Sequence, residues 1–452
     1  MPPHDLVAQL SSPAATTVFV VVGALLVGTL LRELPRIPGR LLVLMLCAFL
    51  DMVGLLMIVP LLPYYVQRLG DGGVAVAGLT LQAGTLVGLV TAAFTLAQLV
   101  SAPFWGRFSD RRGRKPALLA ALAASAVAYL VFGFAEALPL LILSRLVQGM
   151  GGGTVGVIQA YVADTTEPAQ RARALGWLSA ATNLGVALGP VLGSQAIRGG
   201  RAIDAALGDR TVWTYAAPGV AAAAMCLLTM LVTWRYLAEP NELRGSDGKP
   251  RVPLGTAFGS VVLRPSLVSS RLILTYAIAI GSFHGVTTVL ALFLETRFGV
   301  DETSIGYVFL YIGAIAVFTR TLALGPLVDR LGEARLSRIG IGLLASGIAL
   351  LPFANGLAAL ALAVGLLPLG TAFTFPAVTA LLSRVVPAGD RGLYMGMQQT
   401  FGGMARIAAP LLFGRAFDVY GVAVPFYLAA ACVLATLPLG FGLHRAARST
   451  GG

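Results

Sequence analysis

The sequence predicts an all-α protein that crosses a membrane many times and is divided into two six-helix halves. Three observations predict it. The 452-residue chain is 57% apolar and 12% charged, with a mean hydropathy of +0.83, whereas a soluble protein is about 25% charged. Apolar stretches of bilayer-spanning length, about 20 residues each, follow one another, and the chain has room for about 12 or 13 of them. Landmarks also recur at a fixed offset: Asp110 and Asp329 stand 219 positions apart, and Arg171 and Arg391, like Pro190 and Pro410, stand 220 apart. A repeat of that kind is the mark of a duplicated architecture.

The elements can be taken in order. Residues 1–15 are polar and expected to be disordered, and residues 16–32 form an apolar run expected to be an extra N-terminal helix. That run is a poor signal peptide, with no preceding positive charge and no clear small-residue cleavage site. Arg32, Arg36 and Arg40 follow it and would hold its far end in the cytoplasm, so that the next span starts there. The first half, 40–237, holds spans at about 41–64, 80–105, 116–135, 138–163, 172–197 and 212–237. Residues 238–270 carry Pro240, Pro250, Pro253 and Pro265 and read as a cytoplasmic linker. An amphipathic piece near 253–263 is expected to lie on the membrane surface. The second half, 271–444, holds spans at about 272–295, 304–326, 337–354, 358–384, 392–416 and 422–444, and 445–452 is a basic cytoplasmic tail.

The net charge of +12 would suggest nucleic acid on a soluble protein. Here the bases fall between apolar segments, where they set topology, so no nucleic-acid partner is assigned. Cys47, Cys226 and Cys432 are far apart within apolar runs, and His4, His284 and His444 are equally scattered, which gives no disulfide or metal pattern. No phosphate-binding loop of the G-x-x-x-x-G-K-[ST] type occurs. The chain is therefore read as a non-enzyme with no catalytic residue, metal or cofactor.

Gly106 to Pro116 (GRFSDRRGRKP) lies between the second and third spans and packs five bases around one acid. Gly106 and Gly113 suit a tight turn with φ > 0. Gly106, Asp110, Arg111, Gly113, Arg114 and Lys115 match in register the signature G-x-x-x-D-R-x-G-R-[KR] of the major facilitator superfamily, which the chain resembles over about residues 40–444. The resemblance implies two six-helix halves related by an axis along the membrane normal, with the substrate site between them near the midplane. It also implies that the loop acid pairs with the loop's own arginine and docks on a helix end of the other half, holding the outward-facing state. Asp164, at the end of the fourth span, resembles the family acid that pairs with a loop arginine, here Arg111 or Arg114.

In the fifth span Gly176, Gly185, Gly189, Pro190 and Gly193 fit G-x(8)-G-x(3)-G-P-x(2)-G. This resembles the motif of drug/proton antiporters, except that Ser194 stands where a glycine is usual. Glycines four apart let helices approach closely, and Pro190 permits a bend. In the eleventh span Pro410 remains but most of the glycines do not.

Asp51 lies within the first span. A carboxylate in hydrocarbon costs about 2.5–3.5 kcal/mol on insertion scales, so it should face a cavity or carry a proton. Burial favours the protonated form of a carboxyl and a nearby cation the ionised form; between them a carboxyl can exchange protons near neutral pH. The segment resembles the first helix of tetracycline and multidrug proton antiporters, which carry an acid there. Arg145, in Arg145-Leu146-Val147-Gln148-Gly149, resembles the superfamily's R-x-x-Q-G pattern linked to proton transfer. Helix rise puts Asp51 about 15 Å and Arg145 about 20 Å from the inner face, so the two are expected to pair. Val364 stands at the position equivalent to Arg145, which confines proton handling to the first half. Gln148, Phe283, His284, Gln398, Gln399 and Arg406 are further candidates for the cavity wall, with Arg406 open to either an anionic group of the substrate or Asp51.

The expected function is export of a small amphipathic, drug-like compound in exchange for protons, by one half rocking against the other. The expected setting is the plasma (inner) membrane, with the lipid bilayer, protons and a small-molecule substrate as partners and the chain acting as a monomer. Two alternatives stand beside it: symport or uniport of a metabolite, sugar or lipid, and a non-transporting receptor or assembly factor on the same fold.

Overall fold

The computed structural model describes residues 37–440 apart from 71–72, 77–78, 153, 209–210, 240–258, 260 and 388–389. The expected disordered N-terminus (1–15), the extra helix (16–32), most of the linker and the tail (445–452) lie outside the described residues, as does most of the amphipathic piece.

The first span is α1 (Gly39–Ile58) followed by α2 (Leu62–Leu69). Pro60 has no N–H to continue the ladder, and the chain passes through a tighter 3₁₀ turn at Val59–Leu61. A hairpin of β1 (Val74–Val76) and β2 (Leu79–Leu81), with Val74 opposite Leu81, follows in the outer loop and was not expected from the sequence. Next come α3 (Ala83–Arg112) and α4 (Arg114–Gly133). The fourth span is two helices, α5 (Leu138–Gly151) and α6 (Thr154–Thr165). Then α7 (Pro168–Leu207), which runs on well beyond the expected end near 197, leads to α8 (Val212–Tyr236).

The second half begins with α9 (Val268–Phe298) and α10 (Ile305–Phe318). A π turn at Thr319–Ala323 joins α10 to α11 (Leu324–Leu331). The remaining helices are α12 (Glu333–Leu350), α13 (Leu357–Val385), α14 (Arg391–Tyr420) and α15 (Val424–Leu434). Among the described residues, ten helical segments are long and apolar enough to cross a membrane. The eleventh, α14, is 30 residues long but carries Arg391, Arg406, Arg415 and Asp418, and the twelfth, α15, has 11 residues.

One expectation is corrected at the signature stretch. Gly106 lies inside α3 with open space around it, because nothing in Arg107–Arg112 breaks a helix. Only Gly113, at φ 106°, makes the turn.

Within the first half α1 packs on α7 and α8, and α4 on α8; within the second, α9 packs on α14 and α12 on α13. The halves meet along α3 against α14 and α7 against α10. Both seams are made by backbone approach. A Cβ on Gly88 would lie 2.3 Å from the Pro410 carbonyl oxygen, and one on Gly306 would lie 2.5 Å from that of Pro190. The two repeat-related prolines thus occupy corresponding places in the two seams. Both seams lie at the end of the bundle remote from Gly113. Toward Gly113 the halves part.

Candidate functional site

Between the parted halves lies a cavity of about 830 Å³. From the first half it is lined by Gln98, Leu99, Trp105, Asp110, Arg114 and Gln159, and from the second by Gln399, Thr400, Gly403 and Arg406. It opens at the basic, cytoplasmic end, so the conformer faces inward.

The opposite end is shut by polar contacts across both seams. The Asp418 carboxylate of α14 accepts the backbone N–H groups of Gly84 and Thr85 at the start of α3, at 2.9 and 2.7 Å, and the Thr85 hydroxyl at 2.5 Å. An anion is favoured there by the unpaired N–H groups and the dipole of a helix start. In the other seam the Ser194 hydroxyl donates to the Glu302 carbonyl at 2.9 Å and accepts from the Gly306 N–H at 3.1 Å. Arg198 donates to the Thr303 carbonyl at 3.2 Å, and Arg201 pairs with Glu302. The serine that departs from the antiporter pattern therefore links the halves.

At the open end Arg114 is a hub. Its Nη1 donates to Asp110 Oδ1 and Ser109 Oγ, both at 2.7 Å, and its Nε donates to Asp164 Oδ2 at 2.9 Å. Arg111 stays exposed. Glu239 accepts the N–H groups of Arg114 and Lys115 at 2.5 and 3.0 Å, so it caps the start of α4. The Lys115 ammonium donates to the Trp234 carbonyl at 2.8 Å.

Asp51 is buried, 8% exposed, and faces the protein rather than lipid. Its Oδ2 accepts the Thr154 hydroxyl at 2.7 Å. It borders a small cavity of about 30 Å³ together with Gln98, Ser125, Tyr129, Gln148 and Gly152. Gln98 and Gly152 line both this cavity and the large one, and Gln98 Nε2 donates to the Gly152 carbonyl at 3.3 Å. The two cavities thus share these residues in their walls.

The expected Asp51–Arg145 pair is not formed. Arg145 is 1% exposed, its guanidinium sits 4.6 Å from the Phe132 ring centre, and its Nε and Nη2 have no hydrogen-bond partner. Matching depth was not enough. The fourth span breaks after Gly151, Thr154 at the new helix start reaches Asp51, and Arg145 faces α4. Tyr129 stands next to both: it borders the Asp51 cavity, and the guanidinium lies 6.0 Å from its ring.

The sequence model of the Major Facilitator Superfamily matches residues 44–336 and 317–450. The chain belongs to that superfamily. It is 31% identical over 366 residues to the tetracycline resistance protein, class G, of Vibrio anguillarum, covering 80% of this chain and 86% of that one. It is 26% identical over 396 residues to multidrug resistance protein 1 of Bacillus subtilis (strain 168), covering 87% and 92%. Among solved structures, a bacterial homologue of the human lysosomal transporter Spinster, in an inward-facing and occupied conformation, aligns with a TM-score of 0.69 at 15% identity, over 91% of this chain and 97% of that one. The chain is a multi-pass membrane transporter of the major facilitator fold.

Within this major facilitator core the antiporter-type glycines pack α7 on α1. A Cβ on Gly185, Gly189 or Gly193 would lie 2.5, 2.9 or 2.2 Å from Phe49 O, from Leu56 Cβ and Val53 O, or from Met57 O. Gly176 has open space around it. Of the residues expected on the cavity wall, Gln399 and Arg406 line the large cavity and Gln148 the small one. Gln398, Phe283 and His284 line neither. Gln398 is fully buried and its Oε1 accepts the Thr379 hydroxyl at 3.3 Å, because neighbours on a helix point about 100° apart. His284 Nδ1 is buried without a partner. The sequence reading missed Thr154, Gln98, Tyr129 and Glu239. The run Gly151-Gly152-Gly153 before Thr154 was the available sign of a helix break.

Proposed function

We propose that this transporter exports small amphipathic compounds in exchange for protons, with Asp51 as the proton site. The observation that carries the reading is the shared wall. Among the described residues no cation lies against the buried Asp51 carboxyl, and Gln98 and Gly152 line both its pocket and the central cavity. A carboxyl so placed takes up a proton where the cavity is open to the acid side and gives it up at the other. Ionised, it accepts the Thr154 hydroxyl; protonated, it needs another acceptor, so the contact between α1 and α6 changes with its charge. Arg145 senses that change through Tyr129, the neighbour of both groups. The similarity to tetracycline and multidrug resistance proteins supports drug-like cargo and export.

Alternating access follows from the two ends. The seams at Asp418 and at Ser194–Glu302 open while the cytoplasmic end closes. Asp110, freed in part from Arg114, then docks on a helix end of the second half, as the resemblance implies.

The test is uptake of labelled tetracycline and of amphipathic dyes into proteoliposomes whose lumen is made acid. Asp51→Asn is expected to lower gradient-driven uptake by about tenfold or more while the protein stays folded and monodisperse. Gradient-driven uptake at the wild-type rate by that variant would refute the assignment. Uptake that survives collapse of the gradient by an uncoupler would point to uniport.

A further inference from the structure

We infer that the cargo carries an anionic group and that Arg406 and Arg320, both from the second half, receive it. This rests on the reading of the central cavity as the cargo site and adds the chemistry of what enters.

Arg406 of α14 lines the large cavity beside Gln399 and Thr400. Arg320 lines an adjoining cavity of about 350 Å³, and Gln159 borders both spaces. Among the described residues neither arginine has an acid within ion-pair range. Arg406 Nε makes only a 3.4 Å contact with the Gly402 carbonyl of its own helix. Arg320 donates from Nη1 to Asn183 Oδ1 at 2.8 Å, and its Nε is buried without a partner. Of the first-half acids near these spaces, Asp110 is paired with Arg114, and Asp51 lies in its own small pocket against the Thr154 hydroxyl, in ion-pair contact with neither arginine.

Charged side chains within a membrane protein face a cavity, pair with one another, or mark a substrate path. Breaking the balance of a buried charge is costly. Two guanidinium groups border adjoining cavities that share Gln159, and among the described residues neither has an acid paired with it, which leaves the neutralising charge to the cargo. Arg320 also sits in the π turn at Thr319–Ala323. Such turns insert an extra residue and recur at functional sites. Here Leu322 is turned outward while Arg320 faces the cavity.

The rest of the wall suits a flat amphipathic body. Leu99, Pro103 and Val157 are apolar, and Trp105 offers an aromatic face while its indole N–H is taken by the Met150 carbonyl. The planar fork of arginine matches the two oxygens of a carboxylate or sulfonate. The class of cargo is therefore an aromatic or polycyclic organic anion rather than a lipophilic cation.

Fluorescein and rhodamine 6G share a ring system and carry opposite charge, so they separate the two chemistries. Fluorescence anisotropy with the purified full chain in detergent measures binding without any proton gradient. Fluorescein is expected to bind about tenfold tighter than rhodamine 6G. Arg406→Gln and Arg320→Gln should each weaken fluorescein by about tenfold and leave rhodamine 6G unchanged, and Arg406→Lys should keep part of the affinity. Thermal melts confirm that the variants are folded. Fluorescein affinity equal to or below that of rhodamine 6G, absence of binding included, overturns the inference, as does unchanged fluorescein binding in both Gln variants. Asp51→Asn should still bind fluorescein, so failure of the proton assignment and failure of the anion assignment give different results.

Discussion

The two cytoplasmic corners of the molecule are built alike with their charges exchanged. Arg114 and Glu333 stand 219 positions apart, and their partners Asp164 and Arg384 stand 220 apart. Arg114 Nε lies 2.9 Å from Asp164, and Arg384 Nη2 lies 2.5 Å from Glu333. In each half an ion pair ties the start of the third span to the end of the fourth. The geometry belongs to the fold, and the polarity does not. What differs is the additional acid. Asp110 sits four residues before Arg114 and pairs with it while remaining 49% exposed at the cavity. Its counterpart Asp329 sits four residues before Glu333, a like charge, and is exposed. Of these two acids, Asp110 lines the large cavity and Asp329 does not, so the first corner presents an acid that a moving helix end could use.

The largest effect should come from reversing the first corner. Arg114→Glu places a fourth acid beside Asp110, Asp164 and Glu239. Side-chain exposures of 12% for Arg114 and 19% for Asp164 put the loss near the range for a broken buried pair, about 3 kcal/mol. Purified yield and thermal stability should fall, and uptake should drop by about tenfold or more. Adding Asp164→Arg recreates the polarity of the second corner and should restore most of the stability. A double variant no better than the single one would mean that the corner needs this polarity after all.

The intermediate effect concerns Asp110. In the inward-facing conformer its carboxylate adds one exposed contact, so Asp110→Asn should leave folding and dye binding intact. If the acid meets a helix start on closure, that contact is worth about 1 kcal/mol, and turnover should slow by about fivefold. Asp329→Asn is the control, with no change expected. Equal effects of the two substitutions would reduce both acids to topology markers.

Much of this architecture is legible in the sequence because hydrocarbon imposes it. Long apolar runs, basic loops and the recurrence of Asp110, Arg171 and Pro190 as Asp329, Arg391 and Pro410 mark spans, orientation and halves without any knowledge of packing. Composition alone would have missed α14, in which Arg406 lines a cavity and Asp418 caps a helix. The site is less legible. Rise per residue places Asp51 and Arg145 at similar depth, but the facing direction of each depends on where the fourth span breaks. Three consecutive glycines marked that break, and reading through them as one helix aimed Arg145 at the wrong neighbour. Gly106 shows the converse: a glycine in a signature was read as a turn, yet only Gly113, where the backbone needs a positive φ, is one. Glu239 caps α4 from more than a hundred residues away, a contact that no local pattern announces.

The smallest effect is expected at the second corner. Arg384 is 63% exposed although Glu333 is only 12% exposed. Water screens the arginine, and a pair with one solvated partner is worth about 0–1 kcal/mol. Arg384→Glu sets two acids against each other, but the new glutamate can swing into solvent, so the penalty stays near that small range. Thermal stability should shift by little, and uptake should stay within about threefold of wild type. The matching reversal at Arg114 has no such escape, because that side chain is enclosed by Ser109, Asp110 and Asp164. A loss at Arg384 as deep as that at Arg114 would break the comparison, since it would show that the second corner also works as a latch.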